Sequence, residues 1–227
     1  MALKDLDVEK EAVLKAIDAI EKAGVMGIGQ HGNFSVLVPS GGAFLLVGGD
    51  MDSVRKDDFV LVDLEGNLVE GNMTAREAEI VHLHTVVYRN RPEARSAVHV
   101  HSTWGTTFAV ASQPIECSYE AMARFNMTDG IPLAKYGPRG SDLSIEYIAD
   151  ALNSAQDIRA VLMEHHGILA FGPTPAEAAR SVMLVEAAAQ LAAQAATIGG
   201  AKPIPREMLT ATVERRDVFE QAGIQRA

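Results

Sequence analysis

The chain has 227 residues, 48% of them apolar and 22% charged, enough to bury one substantial core and too well mixed for a disordered segment. Its formal charge of −10 repels a polyanion and its basic residues stand singly or in pairs, as in RKDD (55–58) and ERRD (214–217), so nucleic acid is excluded as an expected partner. The single cysteine, Cys117, excludes an internal disulfide, charges interrupt the apolar residues of the first helix where a signal peptide would be unbroken, and no run reads as long enough for a bilayer; the expected setting is cytoplasmic, with no membrane.

Residues 7–23 carry Val13, Ile17 and Ile20 at helical spacing, with Asp7 as expected N-cap and Gly24 as stop. Short strand-like runs follow at 33–39, 43–47, 58–64 and 67–71, with SGG and EGN as hairpin turns, and these predict antiparallel sheet. The apolar spacing of AREAEIVHLHTVVYRN predicts a helix over 75–90 that ends before Arg91-Pro92 and leads to a strand at 96–101. A further helix is expected to start near 102. Beyond the YGPRGS loop, residues 141–154 read as helix, 158–172 as a strand pair and 174–198 as a long alanine-rich helix. The expected class is α/β, one domain over 1–227, with a central, mostly antiparallel sheet flanked by helices on both faces.

Within the segment AVHVHS, an extended backbone turns His99 and His101 to one side and Val98 and Val100 to the other. One atom could then touch both imidazoles. His31 stands in a glycine-rich turn, His82 and His84 on the predicted helix, and His165 and His166 close a strand before Gly167. A His-x-His strand face with a distant third histidine suits three positions of a tetrahedral metal centre; two core histidines bonded to carbonyls are the plain alternative.

HGNFSV (31–36), NRPEARSAVHVHSTWGTTFA (90–109) and EHHGILAFG (164–172) resemble, in order and spacing, the class II aldolase/adducin family over about residues 8–198. The resemblance implies that His99, His101 and His166 bind a divalent metal, most simply Zn2+ with Mn2+, Co2+ or Fe2+ as substitutes, and that His165 supports the site without binding. It implies Glu79 as general base, with Glu77 second, provided a local bulge or register change absorbs the difference, because the segment from Glu79 to Tyr88 is one residue longer than in the fuculose-phosphate enzyme. It also implies Tyr119 as proton donor, a homotetramer with interfacial active sites, and a small sugar phosphate as substrate.

The metal would stabilise the enediolate left when a ketose 1-phosphate breaks between C3 and C4. For the phosphate the resemblance offers Gly32, Asn33 and Ser35. VGGD, with Gly48 and Gly49, replaces the family's Thr-Gly turn, and TAREAE replaces its Ser-Ser-acid motif, so Arg76 is expected to supply a charge that Asp50 opposes. Lys135 and Arg139 could meet an acidic substrate. Trp104, Met122 and Phe125 could line a less polar pocket, although core packing is the commoner use of such residues. No tyrosine follows Tyr147, whereas the fuculose-phosphate enzyme uses one from its tail. Three readings stay open: an aldolase giving dihydroxyacetone phosphate and an aldehyde; a decarboxylase of a hydroxylated aromatic or sugar acid, or an epimerase; and a non-enzymatic, adducin-like interaction domain.

Overall fold

Strands that are apolar at nearly every position must be covered on both sides, and this chain covers them in one eight-stranded sheet. The computed structural model describes residues 2–221. Its strands are β1 (His31–Leu37), β2 (Ala43–Asp50), β3 (Val60–Asp63), β4 (Leu68–Glu70), β5 (Ser96–Val100), β6 (Leu133–Ala134), β7 (Ala160–Met163) and β8 (Gly167–Gly172). They lie in the order β4-β3-β2-β1-β5-β8-β7-β6. Every neighbouring pair is antiparallel except β6 and β7 at the edge.

Helices α2 (Ala75–Asn90) and α5 (Asp142–Asn153) pack on each other and on one face of the sheet. The other face carries α1 (Asp7–Lys22), α3 (Thr103–Val110) and α6 (Pro175–Ala195), with α4 (Glu120–Arg124) and α7 (Arg206–Gln221) packed together alongside. Two cores result, and strand alternation sorts the residues between them: Phe34, Val98 and Val100 go to the α1/α6 side, Phe44, Ala97 and Leu169 to the α2/α5 side. The expected class, with helices on both faces of a mostly antiparallel sheet, is the observed one.

Some local expectations need correction. Leu6, without a side-chain bond, occupies the N-cap of α1, and Asp7 is its first helical residue, where its charge still favours the positive helix end. The strand expected over 96–101 ends at Val100, and His101 makes an isolated bridge to Gly27. The short α4 and β6, and α7 after the prolines at 203 and 205, are additions. Pro175–Ile198, which joins α6 to its 3-10 extension, has the length and mean hydropathy (1.3) of a bilayer span, contrary to expectation. Alanine supplies that apolarity, and Val182, Val185 and Ala189 are buried in the α1/α6 core. The end of the tyrosine-free tail, 222–227, lies outside the described residues; its Phe219 carries the Arg215 guanidinium 4.5 Å above the ring.

Candidate metal centre

Alternation along β5 turns His99 to the α2/α5 face, and His101, one residue past the strand, follows it. The turn between β7 and β8 brings His166 to the same place, so that one ring nitrogen from each of the three lies within 4.8 Å of the others. The ring centroids are 4.6, 4.7 and 5.2 Å apart. Gly167 is required by this approach: a Cβ there would sit 2.7 Å from the Val100 carbonyl oxygen, 3.0 Å from His101 Cδ2 and 3.3 Å from His99 Cε1. His165 has φ of +58°, is exposed, and sets its ring against Tyr136 at 5.8 Å. It is not among the residues that line the cavity onto which the other three open.

Hydrogen bonding prepares these rings for a cation. His99 donates from Nδ1 to the Ile168 carbonyl at 2.8 Å, and the His101 ring is held by the backbone of His31. The first of these bonds leaves His99 Nε2 as an acceptor, and it lies 3.1 Å from His101 Nε2. Ligands about 2.0–2.1 Å from a tetrahedral ion are separated by about 3.3 Å, so the spacing fits. Burial lowers the pKa of all three: His99 falls well below the ordinary value, burial together with His101 brings His166 to about 4, and His101 is lowered by burial first. At neutral pH the triad therefore presents uncharged donors, the form a metal takes.

The triad opens into a cavity of about 200 Å³. Of the residues expected at the site, Gly32, Asn33, Gly49, Arg76 and Glu79 line it. Glu79 accepts an ion pair from Arg139 Nε at 3.1 Å, with both side chains about half exposed. Helix α2 runs unbroken, so of the bulge or register change expected near Glu79 the bulge is absent, and Ile80 shares the cavity wall with it. Glu77 is occupied elsewhere: its carboxylate accepts from the Thr74 N–H at 2.7 Å and Thr74 Oγ1 at 2.9 Å in a capping box that starts α2.

Other expected residues lie apart. Ser35 is fully buried beneath α2, with its hydroxyl bonded to His84 and Tyr88. Gly48 lies outside the cavity, with Ile80 Cδ1 only 2.8 Å from where its Cβ would be. Tyr119, 39% exposed at the N-cap of α4, does not line the cavity of its own chain. Met122 is core, with Trp104 and Phe125 packed against that core; none of the three lines the cavity, and Lys135 lies over the Tyr147 ring. Asp50, expected to oppose a phosphate, bonds His31 Nδ1 at 2.5 Å. His31 itself lines the cavity; its place directly before Gly32-Asn33 on β1 was the available signal. Behind the triad, the buried Glu186 of α6 accepts from the Trp104 N–H at 2.9 and 3.0 Å and the Gly105 N–H at 2.8 Å, which anchors the start of α3 just after His101.

Residues 11–193 match the family described as the class II aldolase and adducin N-terminal domain. The L-fuculose phosphate aldolase of Haemophilus influenzae is 29% identical over 160 residues, 70% of this chain and 71% of that protein. The 3-oxo-tetronate 4-phosphate decarboxylase of Escherichia coli K12 is 28% identical over 172 residues, 72% of this chain and 76% of its own. Among solved structures, an L-fuculose 1-phosphate aldolase superposes with a TM-score of 0.81 at 25% identity, covering 93% of this chain and 96% of that one.

Proposed function

Because the chain belongs to the class II aldolase and adducin family, we propose that it is a divalent-metal-dependent lyase that cleaves a ketose 1-phosphate, of fuculose or 5-deoxypentulose type, into dihydroxyacetone phosphate and an aldehyde. The observation that carries the reading is the convergence of three neutral imidazoles in a cavity also lined by a carboxylate and two guanidinium groups. In this reading His99, His101 and His166 hold the ion, and zinc suits three imidazoles. The bound ion would supply Lewis-acid stabilisation of charge developing on adjacent substrate oxygens.

The chain's own groups do the rest. Arg76, beside Gly49, neutralises the substrate phosphate, while the amide of Asn33 and the backbone of Gly32, which also line the cavity, approach its oxygens. Glu79 moves the proton at C3, and Arg139 holds that carboxylate at the cavity wall. Tyr119 is exposed and outside its own cavity, so as proton donor it would serve a neighbouring subunit in a cytoplasmic homotetramer.

The second reading is decarboxylation of a hydroxylated acid. Arg139 favours it, as a second cation in the cavity beyond the one a single phosphate needs, and a relative is named for such a reaction. Metal analysis of the purified protein comes first, then an assay of the metal-loaded form with L-fuculose 1-phosphate and a 5-deoxypentulose 1-phosphate. Dihydroxyacetone phosphate, read by coupled NADH oxidation and stopped by a chelator, is the expected product. A metal-loaded protein silent on ketose phosphates that releases carbon dioxide from hydroxylated acids would overturn the aldolase in favour of the second reading. A protein that binds no metal would leave the interaction domain.

A further inference from the structure

Beneath the cavity, β1 and α2 enclose a line of polar side chains, of which the reaction above uses only Asn33. Asn33 and Ser35 share one face of β1, and His84 and Tyr88, one helical turn apart, share the face of α2 that covers it. His84 Nε2 lies 2.7 Å from Asn33 Oδ1, His84 Nδ1 lies 2.6 Å from Ser35 Oγ, and Ser35 Oγ lies 2.5 Å from the Tyr88 hydroxyl. Ser35 and His84 are fully buried, and Phe44 covers His84 and Tyr88 with ring centroids at 6.5 and 5.3 Å.

We propose that Tyr88, Ser35 and His84 form a one-way hydrogen-bond relay that locks the Asn33 carboxamide with its NH2 toward the cavity, making them positioning residues for an anionic oxygen of the substrate. The direction follows from counting hydrogens. Among the described residues Ser35 Oγ is the hydrogen-bond partner of the Tyr88 hydroxyl, so the phenol hydrogen goes to it. The Ser35 hydrogen then goes to His84 Nδ1, which leaves the neutral ring one N–H, at Nε2, to donate to Asn33 Oδ1. Reversing the chain would leave the buried phenol hydrogen without an acceptor, at a cost of about 1–3 kcal/mol. Burial, which pushes His84 down to about 3, agrees with a single ring proton. Asn33 is 5% exposed and lines the cavity, so its amide presents a donor there. A donor selects phosphoryl or carboxylate oxygens, and the phosphoryl case rests on the aldolase reading.

The test has two parts, both made on the metal-loaded protein. Nitrogen-15 NMR of the ligand-free protein reads the His84 tautomer: Nε2–H is expected, and Nδ1–H would overturn the relay. Calorimetric titration with inorganic phosphate then compares the parent with Ser35→Ala, Tyr88→Phe, Asn33→Ala and Ser35→Ala/Asn33→Ala. Loss of one properly directed hydrogen bond should weaken phosphate about 3–10-fold in Ser35→Ala. No further weakening is expected when Asn33 is already alanine, which separates positioning from a general structural effect. The same weakening in both backgrounds, or none in either, would overturn the proposal. Tyr88→Phe keeps the core volume and carries the comparison if Ser35→Ala does not fold. A parent that binds no inorganic phosphate would overturn the anion-receiving role together with the phosphate reading, whereas a wrong tautomer would overturn the relay and leave that reading intact.

Discussion

Replacing His84 by glutamine isolates the cost of protonating one buried imidazole. The ring is fully buried and faces Ser35, Asn33 and Phe44, so burial holds its pKa at about 3 against an ordinary value of 6.5. The lowered folded-state pKa means that below pH 6.5 the unfolded chain takes up a proton that the folded chain refuses. Its contribution is therefore complete above pH 6.5 and is lost as pH falls toward 3, at about 1.4 kcal/mol per pH unit. Between pH 6.5 and 4.5 that is about 2.7 kcal/mol, and over the full span about 5 kcal/mol. Urea unfolding of the metal-free parent and metal-free His84→Gln at pH 7.5 and 4.5 measures it, because the other histidines contribute equally to both proteins. The parent should lose about 2.7 kcal/mol more than the variant on acidification. Equal losses would refute the buried, neutral His84 and with it the proton count of the relay.

His101→Ala should abolish metal binding and leave a folded protein, and Gly167→Ala should lower metal affinity at least about tenfold by pushing on two ligand rings, both read by competition with a coloured chelator. Glu79→Gln should keep its metal and lose about two to four orders of magnitude in turnover, measured at saturating substrate; a normal rate would remove it as the base. Glu186→Ala leaves the buried N–H groups of Trp104 and Gly105 without an acceptor, and urea denaturation should show a loss of about 2–6 kcal/mol.

What could be read from the residues divides by range. Helix α2 and the facing of His99 and His101 follow from local periodicity, and α2 runs over the same 75–90 as its apolar spacing predicts. The family signature adds His166, because the glycine beside it is the one residue that lets β8 approach the rings of β5. Tertiary neighbours decide the rest. Nothing in HGNFSV says that Ser35 lies under a histidine and a tyrosine 49 and 53 positions away, although two polar residues one turn apart on the buried side of α2 were a hint. Gly48 and Gly49 differ only in the side each presents, and the end of β2 decides that. β6 has only two residues, too short for any periodicity, and forms because it can pair in parallel with β7.

The triad hangs on main-chain bonds: His99 lies inside two antiparallel ladders, His101 bridges Gly27, and His166 closes a hairpin. Ladder spacing thus sets the opening before any ion arrives, and no ion can remould it at small cost. Competing ions meet the same gap, so their order of preference should follow intrinsic affinity for imidazole, with manganese weakest, then iron, cobalt and nickel. In the cell the supply of each ion then decides the occupant, and the same polypeptide would run on different metals as that supply changes, without altering its fold.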